Sequence, residues 1–209
     1  MQIKREKSNK LERCLLIITG TFLVAISFLL VGIKYHNDKT KEYEENKKIE
    51  EFLEEEKEKT EDIKTETTTS KKSNYKYIAV LEIPTLNLKR GLVSKENYSN
   101  NVNSNIMIVK ESDMPDIDKG NFILAAHAGT SSISFFKNLN QIKLNDLAHV
   151  YYNHKKYTYK VINIYDIKKT GTAEIIRNKY KNTLTLISCR SGTKYQIVVV
   201  CELIKIENL

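Results

Sequence analysis

Cysteine is scarce in this chain of 209 residues, which has only three. Cys14 lies in an apolar N-terminal segment, so Cys189 and Cys201 are the two that a folded domain can use. If residues 190–195 form a hairpin loop, Cys201 lies about 16 Å along the partner strand from the position facing Cys189, because a strand rises about 3.3 Å per residue. A disulfide needs Cα atoms within about 7 Å. The spacing therefore argues against a disulfide, predicts a core position for Cys201 and leaves Cys189 as a free thiol at a strand end.

Charged residues are absent from positions 14–33. As a helix this segment extends about 30 Å, the thickness of the hydrocarbon core of a bilayer. A cleaved signal peptide needs a small-x-small site after its apolar region, and Ala25 and Ser27, which have that spacing, lie inside the run. We therefore predict an uncleaved, single-pass membrane anchor. The short basic tail that precedes it is predicted to be cytoplasmic and the rest of the chain extracellular.

An RNA-binding aromatic motif is also lacking, and the net charge of +8 is spread along the sequence, so nucleic acid is not an expected partner. Residues 37–74 are almost wholly Glu, Lys and Thr, with too little apolar surface to offset the entropy of ordering them. A solvated stalk is therefore predicted, in which Ile49, Phe52 and Leu53 would support one or two helical turns. The predicted organisation is a basic tail (1–13), the anchor (14–33), a charged flexible stalk (34–74) and one folded domain (75–209).

The sequence of the folded domain predicts many short strands and little helix. Alternating apolar positions and turn signals predict eight strands, at residues 77–83, 86–93, 106–109, 122–127, 151–152, 156–167, 184–189 and 195–206. Residues 135–142 have helical spacing after Thr130, Ser131 and Ser132, whose hydroxyls are candidate caps. The predicted fold is all-β, a closed eight-stranded barrel with one or two short helices, since closure removes exposed sheet edges.

Two reactive side chains end apolar runs of this domain. His127 follows the run that begins at Phe122, and Cys189 ends the run that begins at Thr185. A thiol has a pKa of about 8.5 and an imidazole of about 6.5, and a nearby cation favours the thiolate. The pair therefore predicts covalent catalysis, with Cys189 as nucleophile and His127 as proton donor to a leaving amine.

The run Thr185 to Cys189 is Thr-Leu-x-Ser-Cys, with Ser188 where a known motif, Thr-Leu-x-Thr-Cys, has its second threonine. Together with the anchor, the stalk, the all-β domain and the histidine after an apolar strand, it resembles the sortases, cysteine transpeptidases of the Gram-positive cell surface. The resemblance implies the eight-stranded sortase β-barrel. It also implies that Cys189 is the nucleophile and His127 the acid/base.

By the same resemblance, the substrates are secreted proteins with a C-terminal sorting signal of the Leu-Pro-x-Thr-Gly type. The signal would be cleaved after the threonine, held as a thioester on Cys189 and passed to an amine of the cell-wall precursor or to a pilin lysine. No aromatic lid or second membrane helix is evident, which favours a protein-anchoring enzyme over a pilin polymerase. Residues 168–182 are the expected wall of the substrate groove.

One departure from the family pattern concerns a cation. Sortases usually have an arginine on the last strand, but matching the Val-rich stretch puts Gln196, or at best Tyr195, at that position. Gln196 can donate a hydrogen bond without bringing a charge. Arg190, next to Cys189, is the candidate to supply the cation from the loop, and Lys194 is a second possibility.

No cofactor is expected. Four carboxylates lie in a segment that resembles the calcium-binding loop of some sortases, but they lack the spacing of a dedicated calcium loop, and a solvated acidic turn is favoured; they are Glu111, Asp113, Asp116 and Asp118. Two other functions stay open. One is a cysteine peptidase that passes the acyl group to water. The other is a catalytically weak or inactive barrel that binds wall peptides or proteins, which the missing arginine favours.

Overall fold

The computed structural model describes residues 2–62, 77–190 and 192–209. Residues 1–44 and Glu45–Leu209 form two compact units. Their elements are α1 (Gln2–Asp62), β1 (Ala79–Ile83), β2 (Leu88–Leu92), β3 (Met107–Ile108), β4 (Asn121–Ala126), β5 (Leu147–Tyr152), β6 (Lys155–Lys168), β7 (Thr183–Cys189) and β8 (Tyr195–Asn208). The end of the predicted stalk and the predicted domain start at residue 75 lie outside the described residues.

The part of α1 from residue 14 to residue 33 contains no charged residue. Its segment from Leu15 to Glu58 contains a stretch long and apolar enough to cross a membrane, with a mean hydropathy of 2.6. Large side chains such as Leu16 and Phe28 are exposed rather than packed against protein. A helix that is hydrophobic all round has the composition of a membrane span. The length and composition predicted for an anchor are therefore present in the helix.

The second part of α1 differs from the solvated stalk predicted for residues 34–74. The helix continues without a break to Asp62, and Ile49 and Phe52 are 0% and 6% exposed. They pack with Tyr77, Val80 and Val93 of the folded domain. Ile49, Phe52 and Leu53 recur at helical spacing, so they form an apolar stripe that a helix buries on one side. The helical turns predicted at these three residues are present, but they belong to a longer helix that packs on the folded domain.

The eight strands form one sheet in the order β2-β1-β5-β6-β8-β7-β4-β3. Neighbouring strands are antiparallel except β4 and β7, which are parallel. The sheet curls into a nearly closed barrel, which confirms the predicted eight-stranded fold. Between the edge strands β2 and β3, the buried amide of Asn105 donates to the carbonyl of Gly91 at 2.9 Å, so a side chain links the strands across the remaining gap.

The interior of the barrel follows the predicted alternation. Tyr157, Tyr159 and Val161 of β6 are buried in the core, as their period of two along the strand requires. Cys201 is fully buried there as well, which confirms its predicted core position. Burial raises the pKa of its thiol, so it stays neutral.

The helix predicted for residues 135–142 is wrong in its type and extent. Only Leu139–Gln141 form a helix, and it is a single 3-10 turn. Phe136 and Leu139 nevertheless enter the core, so the apolar spacing reflected burial rather than a regular helix. The hydroxyl groups of Ser131 and Ser134 bond to each other at 2.9 Å instead of capping a helix. A second 3-10 turn, Pro84–Leu86, follows β1.

Candidate active site

His127 and Cys189 lie at matching ends of two adjacent strands. In the parallel pair β4–β7, Ala126 is in register with Ser188. His127 directly follows Ala126, and Cys189 directly follows Ser188. Adjacent strands are about 4.8 Å apart, and residues in register point to the same face. The parallel pairing therefore brings together two residues that are far apart in the sequence.

The ends of the two strands are joined by a hydrogen bond. The hydroxyl of Ser188, which is 2% exposed, donates to the carbonyl oxygen of Ala126 at 2.7 Å. This bond links the residues immediately before Cys189 and His127. Beyond β4, the amide of Phe136 donates to the carbonyl oxygen of His127 at 3.0 Å. The backbone around His127 is thus fixed from both sides.

The imidazole of His127 contacts a residue that the sequence did not indicate. Its Nε2 lies 3.0 Å from Oδ1 of Asn103. An amide oxygen only accepts hydrogen bonds, so the tautomer with the proton on Nε2 makes this contact a hydrogen bond. Asn103 lies in an Asn-rich loop before β3, and no local pattern singles it out among its neighbours.

A pocket of about 170 Å³ opens beside Cys189. Its apolar lining comes from Phe136, Leu139 and Ile197, and its polar lining includes Lys137 and Arg190. The pocket lies between the loop that follows β4 and the loop that joins β7 to β8. The half-buried Cys189 thiol is therefore next to a space that a bound group can enter.

The hairpin predicted around Cys189 is confirmed. Cys189 faces Gln196, and Cys201 pairs with Leu184 five positions away. Cys189 and Cys201 are both free, which confirms that they form no disulfide. Because directly paired residues share a face of the sheet, the half-buried Gln196 amide is on the same face as the Cys189 side chain.

The guanidinium of Arg190 pairs with Asp166 and not with a residue on the face of Cys189 and Gln196. Its Nε donates to Oδ1 of Asp166 at 2.5 Å, and Asp166 is the register partner of Ile197, which points into the barrel. The Arg190 backbone continues the hairpin, with its amide donating to the carbonyl oxygen of Tyr195 at 2.9 Å. The structure thus places the Arg190 backbone beside Cys189 but directs its guanidinium toward β6.

The four carboxylates before β4 do not converge. Asp113 Oδ2 accepts a hydrogen bond from the Asn121 amide at 2.9 Å, while Glu111 and Asp116 are exposed. Among the residues that the structure describes, no group of three or more His, Cys, Asp or Glu side chains is arranged to hold a metal ion. The expectation that the protein needs no cofactor stays a prediction.

A sortase-domain family profile matches residues 81–204, which include both strand-end residues. The chain belongs to the sortase family. It is 27% identical over 114 residues to Sortase A of Bacillus anthracis, an alignment that covers 54% of this chain and 52% of that protein. The chain thus matches about half the length of this curated relative.

Solved structures place this sortase in the same fold. Sortase A of Listeria monocytogenes superposes with a TM-score of 0.54 at 23% identity, over 64% of this chain and 91% of that one. The Clostridium perfringens Sortase D5 transpeptidase superposes with a TM-score of 0.57 at 22% identity, over 77% and 98%. At this level of identity the likeness establishes the barrel, and the family is generally one of cysteine transpeptidases.

Proposed function

We propose that this sortase is a membrane-anchored cysteine transpeptidase that cleaves a C-terminal sorting signal similar to Leu-Pro-x-Thr-Gly and transfers the protein to an amine of the cell-wall precursor. The apolar part of α1 would hold it in the membrane, with the N-terminus cytoplasmic and the barrel extracellular. The observation that supports the proposal is the register of β4 and β7, in which Ala126 and Ser188, the residues before His127 and Cys189, are paired.

The chemistry follows from these two groups. The Cys189 thiolate attacks the carbonyl carbon of the scissile peptide bond, the C–N bond breaks, and His127 gives a proton to the leaving amine. The acyl group is then held as a thioester. An incoming amine attacks the same carbon and loses a proton to His127, and the C–S bond breaks to regenerate the thiolate.

The negative oxygen that forms at the carbonyl needs a donor. The Gln196 amide shares the face of Cys189 and can donate a neutral hydrogen bond. The Arg190 guanidinium must leave Asp166, at 2.5 Å, before it can act at that position. A neutral donor stabilises the oxyanion less than a charged one, so we expect this enzyme to turn over slowly.

The connection between β6 and β7 is the proposed wall for the sorting signal. Tyr165 anchors it, since its hydroxyl donates to the carbonyl oxygen of Glu174 at 3.0 Å and accepts from the Ile176 amide at 2.8 Å. Arg177 fixes it to the rest of the barrel by donating to the carbonyl oxygen of Lys119 at 3.0 Å. Ile176 and Tyr180 remain exposed, so apolar side chains are available to a peptide.

The decisive experiment is cleavage of a peptide library by the full chain in detergent micelles, with and without an added amine. Transpeptidation predicts an amine-dependent ligated product. Product that stays hydrolytic at saturating amine would instead identify a cysteine peptidase. The Cys189→Ala variant is the control, and we expect it to form no acyl-enzyme.

A barrel that binds wall peptides or proteins without turnover is the second candidate. The pairing of Arg190 with Asp166 favours it, because the carboxylate offsets the charge of the arginine next to Cys189. The neutral Gln196 adds no charge on the face of the thiol. A thiol-reactive substrate analogue that labels the wild type but not Cys189→Ala would exclude this candidate.

A further inference from the structure

Arg90 of β2 is outside the lining of the pocket at Cys189, yet it has contacts with three separate parts of the molecule. Its Nε donates to Oδ1 of Asn105 at 3.2 Å, and its guanidinium carbon lies 4.3 Å from the ring centroid of Phe135. The same nitrogen lies 3.5 Å from Oε1 of Glu45, with side-chain exposures of 24% for Arg90 and 15% for Glu45. A largely buried arginine with three partners fixes their relative positions.

Two of these partners belong to the segments that hold His127. Asn105 lies two residues after Asn103, which contacts the imidazole at 3.0 Å. Phe135 immediately precedes Phe136, whose amide donates to the carbonyl oxygen of His127. Arg90 therefore bridges the loop on the imidazole side of His127 and the loop on its backbone side.

The third partner lies on the docked part of α1. Glu45 is one helical turn before Ile49, which is fully buried against the folded domain. Within the described part of the chain, Glu45 Oε1 is buried and accepts no hydrogen bond, so the Arg90 charge compensates the cost of burying it. Burial and a hydrogen bond to this carboxylate also raise the pKa of Tyr77. The helix is thus attached to the arginine that supports the His127 loops.

We propose that Arg90 is a positioning residue that couples the docked end of α1, through Glu45, to the orientation of His127. The inference rests on the proposed transpeptidase activity, because it is the orientation of the acid/base that Arg90 sets. Arg90 acts on the reaction only through Asn105 and Phe135. An α1 that docks correctly then favours the productive orientation of the imidazole.

The test compares Arg90→Met, which keeps an unbranched side chain of similar reach, with Glu45→Gln in the full chain in micelles. Arg90→Met is expected to lower kcat about tenfold with KM changed less than about twofold, since small displacements of a catalytic group cost one to two orders of magnitude in rate. Glu45→Gln should also lower kcat, but by a smaller factor than Arg90→Met. The second readout is the ¹³C NMR titration of the His127 ring, whose signal is assigned by its loss in His127→Gln. This titration curve should shift in Arg90→Met and in Glu45→Gln.

The matched control is Glu42→Gln, the same change one turn earlier in α1, where the carboxylate pairs with exposed Lys39. It should leave kcat and the His127 titration unchanged. An Arg90→Met enzyme with normal kcat, or with an unaltered His127 signal, would overturn the proposal whatever its melting temperature. An effect of Glu42→Gln equal to that of Glu45→Gln would overturn the role of the helix. The NMR comparison needs no substrate, so it decides the matter even if the wild type transfers nothing.

Discussion

Removal of one hydroxyl, in Ser188→Ala, should weaken the link between the strand ends that hold Cys189 and His127. Ser188 is buried and donates to the carbonyl oxygen of Ala126 at 2.7 Å. The variant leaves that carbonyl without this partner, and an unsatisfied buried acceptor costs about 1–3 kcal/mol. The lost link is one residue from both Cys189 and His127, so their separation should also become less well defined.

Thr185→Val provides the matched control for this variant. Thr185 is on the same strand, and its buried hydroxyl donates to Oδ1 of Asn121 on β4 at 2.8 Å. It therefore also links β7 to β4, but about 10 Å farther from the strand ends at about 3.3 Å per residue. Asn121 keeps a second donor in Thr183 at 3.0 Å, which limits the loss of stability.

The assay combines urea unfolding with kcat/KM for a sorting-signal peptide. Both variants should lose stability, by about 1–3 kcal/mol for Ser188→Ala and about 1 kcal/mol for Thr185→Val. Only Ser188→Ala should also lose about tenfold in kcat/KM. Equal loss of activity in the two variants, or unchanged stability of Ser188→Ala, would refute the idea that this hydroxyl positions the reactive pair.

Three further predictions concern other groups of the barrel. Cys201→Ser should destabilise the fold by about 1–3 kcal/mol in thermal unfolding, because it buries a hydroxyl in an apolar core. Its kcat should stay near that of the wild type, and a large loss of kcat would show that Cys201 has a catalytic role. Burial, and then Lys156, lower the pKa of His149 from 6.5. The contribution of His149 to the free energy of unfolding is therefore complete above pH 6.5 and is lost as the pH falls below that value. His149→Gln should flatten the pH dependence of unfolding, and an unchanged curve would contradict this. Gln196→Arg should raise kcat/KM because it puts a cation on the face of Cys189. Arg190→Ala should change kcat/KM less than about threefold, because Asp166 holds the guanidinium. A large loss in Arg190→Ala with no gain in Gln196→Arg would return the catalytic role to Arg190.

The sequence predicted the barrel because its signals are local. The alternation of β6, with Tyr157, Tyr159 and Val161 facing inward, and the hairpin after Cys189 both follow from neighbouring residues. The approximate ends of the strands that precede His127 and contain Cys189 were predicted for the same reason. That the two strands are parallel neighbours is a property of topology, which only the structure supplies.

The features that were missed depend on long-range contacts. The docking of α1 relies on Ile49 and Phe52, two apolar residues within a highly charged segment, and on surfaces that form only after the barrel folds. Asn103 and Asp166 are polar residues in ordinary contexts, and their contacts with His127 and Arg190 each span 24 positions of the chain. The helical spacing of Ile49, Phe52 and Leu53 indicated the helix but not its packing partner, and no local pattern indicated the contacts of Asn103 and Asp166.

The central claim is that the Cys189 sulfur carries the acyl group. The most direct measurement is intact mass spectrometry of the full chain quenched in acid during turnover of a sorting-signal peptide, followed by mapping of the modified residue. We expect an adduct with the mass of the N-terminal peptide fragment on Cys189, released by hydroxylamine and absent in Cys189→Ala. Cleavage of the peptide by Cys189→Ala, or turnover by the wild type with the adduct on another residue, would contradict the account.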